Sequence, residues 1–150
     1  MIDVATWETF CNRFRDEFHI VESVYPIDIL DMQTATEEIR KLKSPILVCE
    51  DFTVSTIAHK ADNINDNFML ALLVLEKFTV RNNKAADKSA LLQSTYSSIK
   101  EIKNLMIAGK LSTCEFVSGL NIESMLIEKV GPVLDQHYGW RLSFDIITPT

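Results

Sequence analysis

Apolar side chains recur at helical spacing in the first twenty residues. The apolar residues at this spacing are Trp7, Phe10, Cys11, Phe14 and Phe18. Because these positions lie three or four residues apart, they fall on one side of a helix. Asp3 or Thr6 can cap its first turn by accepting a bond from an unpaired backbone amide. The pattern predicts an amphipathic helix that ends near Phe18.

The next segments predict an edge element and a short helix. Residues 20–30 are rich in β-branched and aromatic side chains but contain Pro26, which cannot donate a ladder hydrogen bond and so favours an edge strand or a loop. Thr34 and Glu37 match a capping box, in which each side chain satisfies a backbone amide of the other. A short helix is therefore predicted from Thr34 to about Lys43.

Two apolar runs predict the centre of a sheet. Residues 46–49 are typical of a buried strand, and the alternation continues through Phe52 and Val54. Residues 61–67 are rich in Asn and Asp and predict a turn. The composition of residues 68–75 allows a helix, but the length of the run and the preceding turn favour a central strand. That strand would be buried on both faces and paired with residues 46–49.

The second half of the chain predicts one long helix and a pair of strands. The helix covers residues 87–108, with Asp87 as its N-cap and Gly109 near its C-terminal cap. Residues 122–130 predict a strand and residues 135–139 a turn. Residues 140–146 then alternate between apolar and polar side chains, which indicates a strand with one buried face.

The order of these elements predicts the fold class. Strands and helices follow one another without regular βαβ alternation, which favours an α+β fold with a mainly antiparallel sheet. The N-terminal helix and the long helix are expected to pack on one face. A length of 150 residues predicts a single domain, residues 1–150, with a core large enough to need no metal or disulfide.

Composition and charge narrow the possible environments and partners. Hydrophobic residues make up 47% of the chain and charged residues 24%, and the net charge is −6. An acidic chain without a dense basic cluster is a poor partner for nucleic-acid phosphates. No secretory signal is apparent, and the longest apolar run, residues 68–75, is far shorter than the ~20 residues needed to span a bilayer. These features predict a cytoplasmic protein that binds neither membranes nor specific nucleic acid.

The sequence contains no motif that predicts catalysis, a cofactor or a metal. The histidines show no metal-binding spacing, and the glycines form no phosphate-binding loop. Cys11 and Cys49 have the apolar surroundings of core residues, and Cys114 has an acidic neighbour that disfavours a reactive thiolate. We therefore predict a protein that is not an enzyme. The competing hypothesis is a site assembled from the dispersed polar residues Glu50, Asp51, His59 and Asp145.

Candidate interface residues lie in the C-terminal third. Tyr138 and Trp140 form a large aromatic pair that predicts either a core anchor, the more frequent case, or an interface anchor. Residues 112–131, which include Leu126 and Ile127, are long and mixed in polarity. They predict either an arm that reaches a neighbouring subunit or an amphipathic edge hairpin. Tyr138, Trp140, Leu126 and Ile127 are thus the predicted interface.

The order of elements resembles the small tail-terminator and tail-completion proteins of tailed phages and prophages. The matching segments are residues 7–18, the strands near residues 46–54 and 68–75, the helix 87–108 and the closing strand 139–146. The resemblance implies a homo-oligomeric ring, probably of six copies, that joins the tail tube and contacts other tail or head-joining proteins. The alternatives are an adaptor that binds one partner through the Trp140 region and a small enzyme.

Overall fold

A computed structural model describes residues 3–27, 32–50, 52–60, 63–78, 85–108 and 119–149. Three helices and six strands occur in these ranges. In chain order they are α1 (Val4–Asp16), β1 (Ser23–Ile27), α2 (Met32–Ile39), β2 (Ile46–Glu50), β3 (Thr53–Lys60), β4 (Asn63–Lys77), α3 (Ala85–Ile107), β5 (Leu120–Val133) and β6 (His137–Pro149).

The six strands form one mixed sheet, which confirms the predicted α+β class. The order across the sheet is β1-β2-β4-β6-β5, and β3 pairs with β4 beside β2, further along the same edge of β4. Every pairing is antiparallel except that of β1 with β2. The predicted central strand is confirmed, because β4 lies between β2 and β6 and pairs with both.

The main core lies between the sheet and the helices α1 and α3, which pack on the same face as predicted. The stripe of α1 is buried there, with Phe10 and Phe14 fully inside. Its N-cap is Asp3, whose carboxylate accepts a hydrogen bond of 2.7 Å from the Thr6 amide. Side chains from α3 and the central strands complete this core; they include Ile99, Ile102, Met106, Leu70, Leu72, Val74, Leu142, Phe144 and Ile146.

The other face of the sheet is covered at one end only by the described elements. Helix α2 packs Ala35 and Ile39 against Ile46, Val48 and Leu75 in a second, smaller core. The rest of this face, formed by the far halves of β4 and β6 together with β5, carries no helix of the described part. No helix in the same ranges is long and apolar enough to cross a membrane.

Two predicted features of the first half are wrong. Helix α2 begins at Met32, so Thr34 lies within it and is not its N-cap, and it ends at Ile39. At this end the backbone amides of Lys41 and Leu42 donate to the carbonyls three residues earlier, those of Glu38 and Ile39. Such hydrogen bonds tighten the last turn and end an α-helix. The predicted turn over residues 61–67 is wrong for residues 63–67, which belong to β4, while residues 61 and 62 lie outside the described ranges. Pairing with strands on both sides outweighs the local turn preference of Asn and Asp.

Two boundaries in the second half also differ from the prediction. Asp87 is not the N-cap of α3, because the helix begins at Ala85. The turn before the last strand ends at Gln136, and Gly139 lies within β6. Three successive residues, Leu134, Asp135 and Gln136, adopt left-handed φ values of 48°, 65° and 62°, which reverse the chain within three positions. Gly109 and residues 112–118 lie outside the described ranges, and residues 120–131 form most of edge strand β5.

Candidate protein-binding surface

The part of the sheet that α2 leaves uncovered forms a depression of about 440 Å³ that is lined by both polar and apolar residues. The side chains of β6 alternate between the two faces of the sheet. Leu142 and Phe144 point into the main core, so Arg141, Ser143 and Asp145 lie on the other face. The pairings of β6 with β4 place residues of both strands on this face. The lining includes Glu50, Met69, Ser124, Arg141, Ser143 and Asp145, and we call this surface the uncovered patch.

A bidentate ion pair lies at the centre of the uncovered patch. The Nε and Nη2 atoms of Arg141 each donate to a different carboxylate oxygen of Glu50 at 3.0 Å. The pair joins β6 to β2 across the intervening β4, and only 32% and 21% of the two side chains are exposed. The hydrogen bonds from the guanidinium to Glu50 raise the pKa of Arg141 above its ordinary value. Arg141 is therefore held as a fixed cation.

The charge around this ion pair is acidic. A carboxylate oxygen of Glu128 lies 4.0 Å from Nη1 of Arg141, and Asp145 lines the same depression. Two carboxylates thus lie within 4.0 Å of the guanidinium, and a third lines the same depression. Ser124 fixes the β5 side of the depression, because its hydroxyl donates to the Asn121 carbonyl at 2.6 Å and accepts from the Asp145 amide at 2.8 Å.

Exposed apolar side chains border this polar centre. Met69 is 43% exposed, Leu126 52% and Ile147 37%. They share the patch because Met69 pairs with Asp145 and Leu126 pairs with Ser143, both on the outward side of β6. Beside them, Asn67 has a buried side-chain oxygen without a hydrogen-bond partner in the described part. Interfaces between proteins combine apolar and polar groups, usually with the apolar groups at the centre; here the polar groups lie at the centre and the apolar groups around them.

The structure places the predicted aromatic pair on the opposite, helix-covered face. The indole Nε1 of Trp140 donates to the Leu92 carbonyl of α3 at 2.8 Å, and its ring lies 5.1 Å from that of Tyr96. The ammonium of Lys88 lies 4.3 Å from the centre of the Tyr138 ring. Both aromatic residues therefore attach α3 to the sheet, and Trp140 has the core role that the sequence favoured.

The other two predicted interface residues lie on opposite sides of β5. Ile127 pairs with Leu142 and packs on the main core, whereas Leu126 belongs to the uncovered patch. The predicted set therefore does not form one surface. Sequence reasoning missed the pairing of Glu50 with Arg141, although it assigned Arg141 to the polar side of β6. The alternation of apolar and polar side chains along β6 was the signal that assigned Arg141 to the polar side. The sequence did not show which strand lies on the other side of β4 from β6.

Part of the alternative enzyme set does come together. Glu50 and Asp145 line the same depression, while Asp51 and the side chain of His59 lie outside what the structure describes. Cys11 and Cys49 are buried in the main core as predicted, and burial with a hydrogen bond to Cys49 raises the pKa of the Cys11 thiol. Within the described ranges, no group of three His, Cys, Asp or Glu side chains is arranged to hold a metal ion.

His137 makes the stability of the fold depend on pH. It is 1% exposed, and its Nδ1 lies 2.6 Å from the Leu134 carbonyl oxygen, so Nδ1 carries a proton and donates. Burial, and to a lesser extent the charge of Lys77, lower the pKa of His137 below 6.5. As the pH falls through about 6.5, the unfolded chain gains a proton that the folded state resists. We expect the free energy of unfolding to fall as the pH drops below about 6.5, by at most about 1.4 kcal/mol per pH unit, until the folded state also takes up the proton.

Urea unfolding across this pH range measures the effect. His137→Gln replaces the imidazole with a polar group that does not titrate, and its pH dependence should be the shallower of the two. Burial raises the pKa of Glu76, and its contribution to the slope of stability against pH has the opposite sign to that of His137. Because both proteins contain Glu76, this contribution cancels when their slopes are compared. Equal slopes for the two proteins would show that His137 is not the group responsible.

Comparison with known proteins assigns this chain to no family. No protein-family model and no curated protein matches this chain.

Proposed function

We propose that this protein is a structural assembly protein that works by associating with further copies of itself. The observation that carries the proposal is the uncovered patch, where the apolar side chains of Met69, Leu126 and Ile147 border the Glu50–Arg141 pair on a face that α2 only half covers. Exposed apolar side chains beside polar groups are found on surfaces that another protein covers.

The ion pair supports a binding role for this surface. Held from two sides by carboxylates, Arg141 presents a fixed geometry, so little side-chain freedom remains to be lost on association. The apolar border supplies area whose removal from water favours association. Acidic carboxylates with a fixed cation also favour a protein partner over nucleic-acid phosphate.

The specific form we propose is a tail-terminator or tail-completion protein of a phage or prophage. Its support is the order of elements: an N-terminal helix, a mostly antiparallel central sheet, a long helix on one face and a closing strand. In this form the copies make a ring that contacts other tail or head-joining proteins. The resemblance implies six copies in the ring. Neighbouring genes for capsid, portal or tail proteins would support this form.

The assembly proposal is tested by the mass of the purified protein in solution. Light scattering coupled to size exclusion, over a range from low to high micromolar concentration, should show a discrete species larger than the 17.1 kDa chain. Met69→Lys and Leu126→Lys, separately, should lower that mass, because each places a charge in the apolar border. Ser89→Lys on the outer side of α3 is the matched control and should leave the mass unchanged.

A strict monomer at every concentration would overturn the assembly proposal. For the phage form, the purified protein is mixed with isolated tail tubes of the phage or prophage that encodes it. Negative-stain microscopy should then show added density at tube ends. Oligomers that leave the tubes unchanged would reject the phage form while keeping self-assembly.

A further inference from the structure

Two cysteines from different elements meet in the main core. Cys11 lies on the buried side of α1, and Cys49 lies in β2. They are 38 positions apart in the sequence, and their side chains are 0% and 2% exposed. The two thiols hydrogen-bond to each other. This thiol pair lies on the face of the sheet opposite the uncovered patch.

The packing of α1 on β2 explains why these thiols meet. The indole Nε1 of Trp7 donates to the carbonyl oxygen of Glu50 at 2.9 Å. Trp7 precedes Cys11 by about one helical turn, and Glu50 follows Cys49 in β2. Side chains along β2 alternate between the faces of the sheet, so Cys49 enters the main core while Val48 enters the second core. The fold of α1 on β2 therefore brings the two sulfurs together.

A cavity of about 250 Å³ reaches one member of the thiol pair. Its lining includes Cys49 and, towards the surface, the exposed residues Val4, Glu8 and Pro26. A water molecule occupies about 30 Å³ in the liquid, so a small uncharged oxidant such as hydrogen peroxide fits in this space. Cys49 lines the cavity, whereas Cys11 is fully buried. Cys49 is therefore the thiol that such an oxidant reaches first.

We propose that Cys11 and Cys49 are a peroxide-sensitive thiol pair, which oxidation converts to a disulfide that links α1 to β2. The Cys49 thiolate attacks one peroxide oxygen, the O–O bond breaks, and the departing hydroxide takes up the proton that Cys49 lost. Cys49 is then a sulfenic acid. The Cys11 sulfur attacks the Cys49 sulfur, the S–O bond breaks, and hydroxide leaves with the Cys11 proton as water. One peroxide is reduced to two water molecules, and the two thiols together lose two electrons.

Burial sets the order of these steps. It raises the pKa of the Cys11 thiol, so Cys11 stays protonated until a Cys49 sulfenic acid is in contact with it. The second step brings two sulfurs that are already in contact to the bond length of about 2 Å. The resulting disulfide is reversible, because an added thiol can exchange with it.

The crosslink is expected to stabilise the fold. It closes the 38 positions between the cysteines into a loop that persists in the unfolded chain and restricts it. The urea concentration at the midpoint of unfolding should therefore rise by about 1 M. This inference goes beyond the proposed self-assembly and does not depend on it, because the thiol pair and the uncovered patch lie on opposite faces of the sheet.

The experiment uses Cys114→Ser, so that Cys11 and Cys49 are the remaining thiols of the chain. The folded protein is treated with hydrogen peroxide, then unfolded in urea and exposed to iodoacetamide. Its mass should fall by about 2 Da with no alkyl group added, and peptide mapping should show the two cysteines linked. Dithiothreitol should restore the alkylation of both thiols and the original urea midpoint.

Two single variants in the same background test the order of the steps. Cys11→Ser has no partner thiol, so peroxide should leave a sulfenic acid at Cys49 that dimedone traps. Cys49→Ser is the matched control, and its Cys11 should stay unmodified at the same peroxide concentration because it is fully buried. Circular dichroism confirms that each variant is folded.

Three results would contradict the proposal. Alkylation of both thiols after peroxide treatment, or sulfinic acids in place of a linked pair, would show that the disulfide does not form. A linked chain with a lower urea midpoint would show that the fold does not accommodate the bond. Equal modification of Cys11 and Cys49 in the two single variants would overturn the order of attack that the cavity implies.

Discussion

Replacing Trp140 with alanine is expected to lower the free energy of unfolding by about 3 kcal/mol. The indole packs on the main core and lies 5.1 Å from the Tyr96 ring, so its removal leaves a cavity between β6 and α3. The same substitution removes the hydrogen bond from Nε1 to the Leu92 carbonyl. Urea unfolding followed by circular dichroism measures the change.

Two variants separate the parts of this effect. Trp140→Phe keeps an aromatic ring but removes the donor, and we expect it to lose about 1 kcal/mol. Leu126→Ala truncates a member of the predicted interface that is exposed, and its stability should change by less than about 0.5 kcal/mol. If Trp140→Ala unfolds at the same urea concentration as the unchanged chain, the indole is not an anchor for α3.

Patterns that depend on one strand or one helix could be predicted from the sequence. The apolar positions of α1 and of β6 alternate at fixed periods, and each period alone identifies the buried side. The run in β4 was predicted as a central strand although its composition also allows a helix, and seven of its eight side chains from Phe68 to Leu75 are buried. Burial on both faces needs a sheet with covering on both sides, which the helices α1, α3 and α2 supply.

Features that depend on pairing between distant segments could not be predicted. Residues 63–67 have turn-forming composition, but β3 and β6 on either side hold them in β4. The Glu50–Arg141 pair joins residues that are 91 positions apart. Its formation requires the order β2-β4-β6, which no local pattern contains. The alternation along β6 did place Arg141 on the polar side of the strand, but it did not predict Glu50 as its partner.

The same limit explains why Gly139 was assigned to a turn. Glycine is frequent in turns because it tolerates left-handed backbone conformations, and three such residues do form the turn that ends at Gln136. Gly139 instead lies in β6 opposite Leu75. Its requirement there is space, because a Cβ at this position would overlap the Val74 carbonyl oxygen of β4.

Replacing Gly139 with alanine is therefore expected to lower the free energy of unfolding by about 3 kcal/mol. The overlapping atom belongs to the backbone of the central strand, and so does the Leu75 Cα at 3.2 Å. No side-chain rotation relieves the overlap, so β4 and β6 must separate locally and weaken their paired hydrogen bonds. Urea unfolding measures the loss, and amide hydrogen exchange should show faster exchange near Leu75.

Ser143→Ala is the matched control for Gly139→Ala, because it also places alanine in β6 opposite β4, where Ser143 pairs with Ala71. Ser143→Ala removes a side-chain oxygen, whereas Gly139→Ala adds a Cβ. The stability of Ser143→Ala should stay within about 0.5 kcal/mol of that of the unchanged chain. If Gly139→Ala behaved in the same way, β4 and β6 would have room for a Cβ at this position. The fold would then not require β4 and β6 to lie so close together at this position.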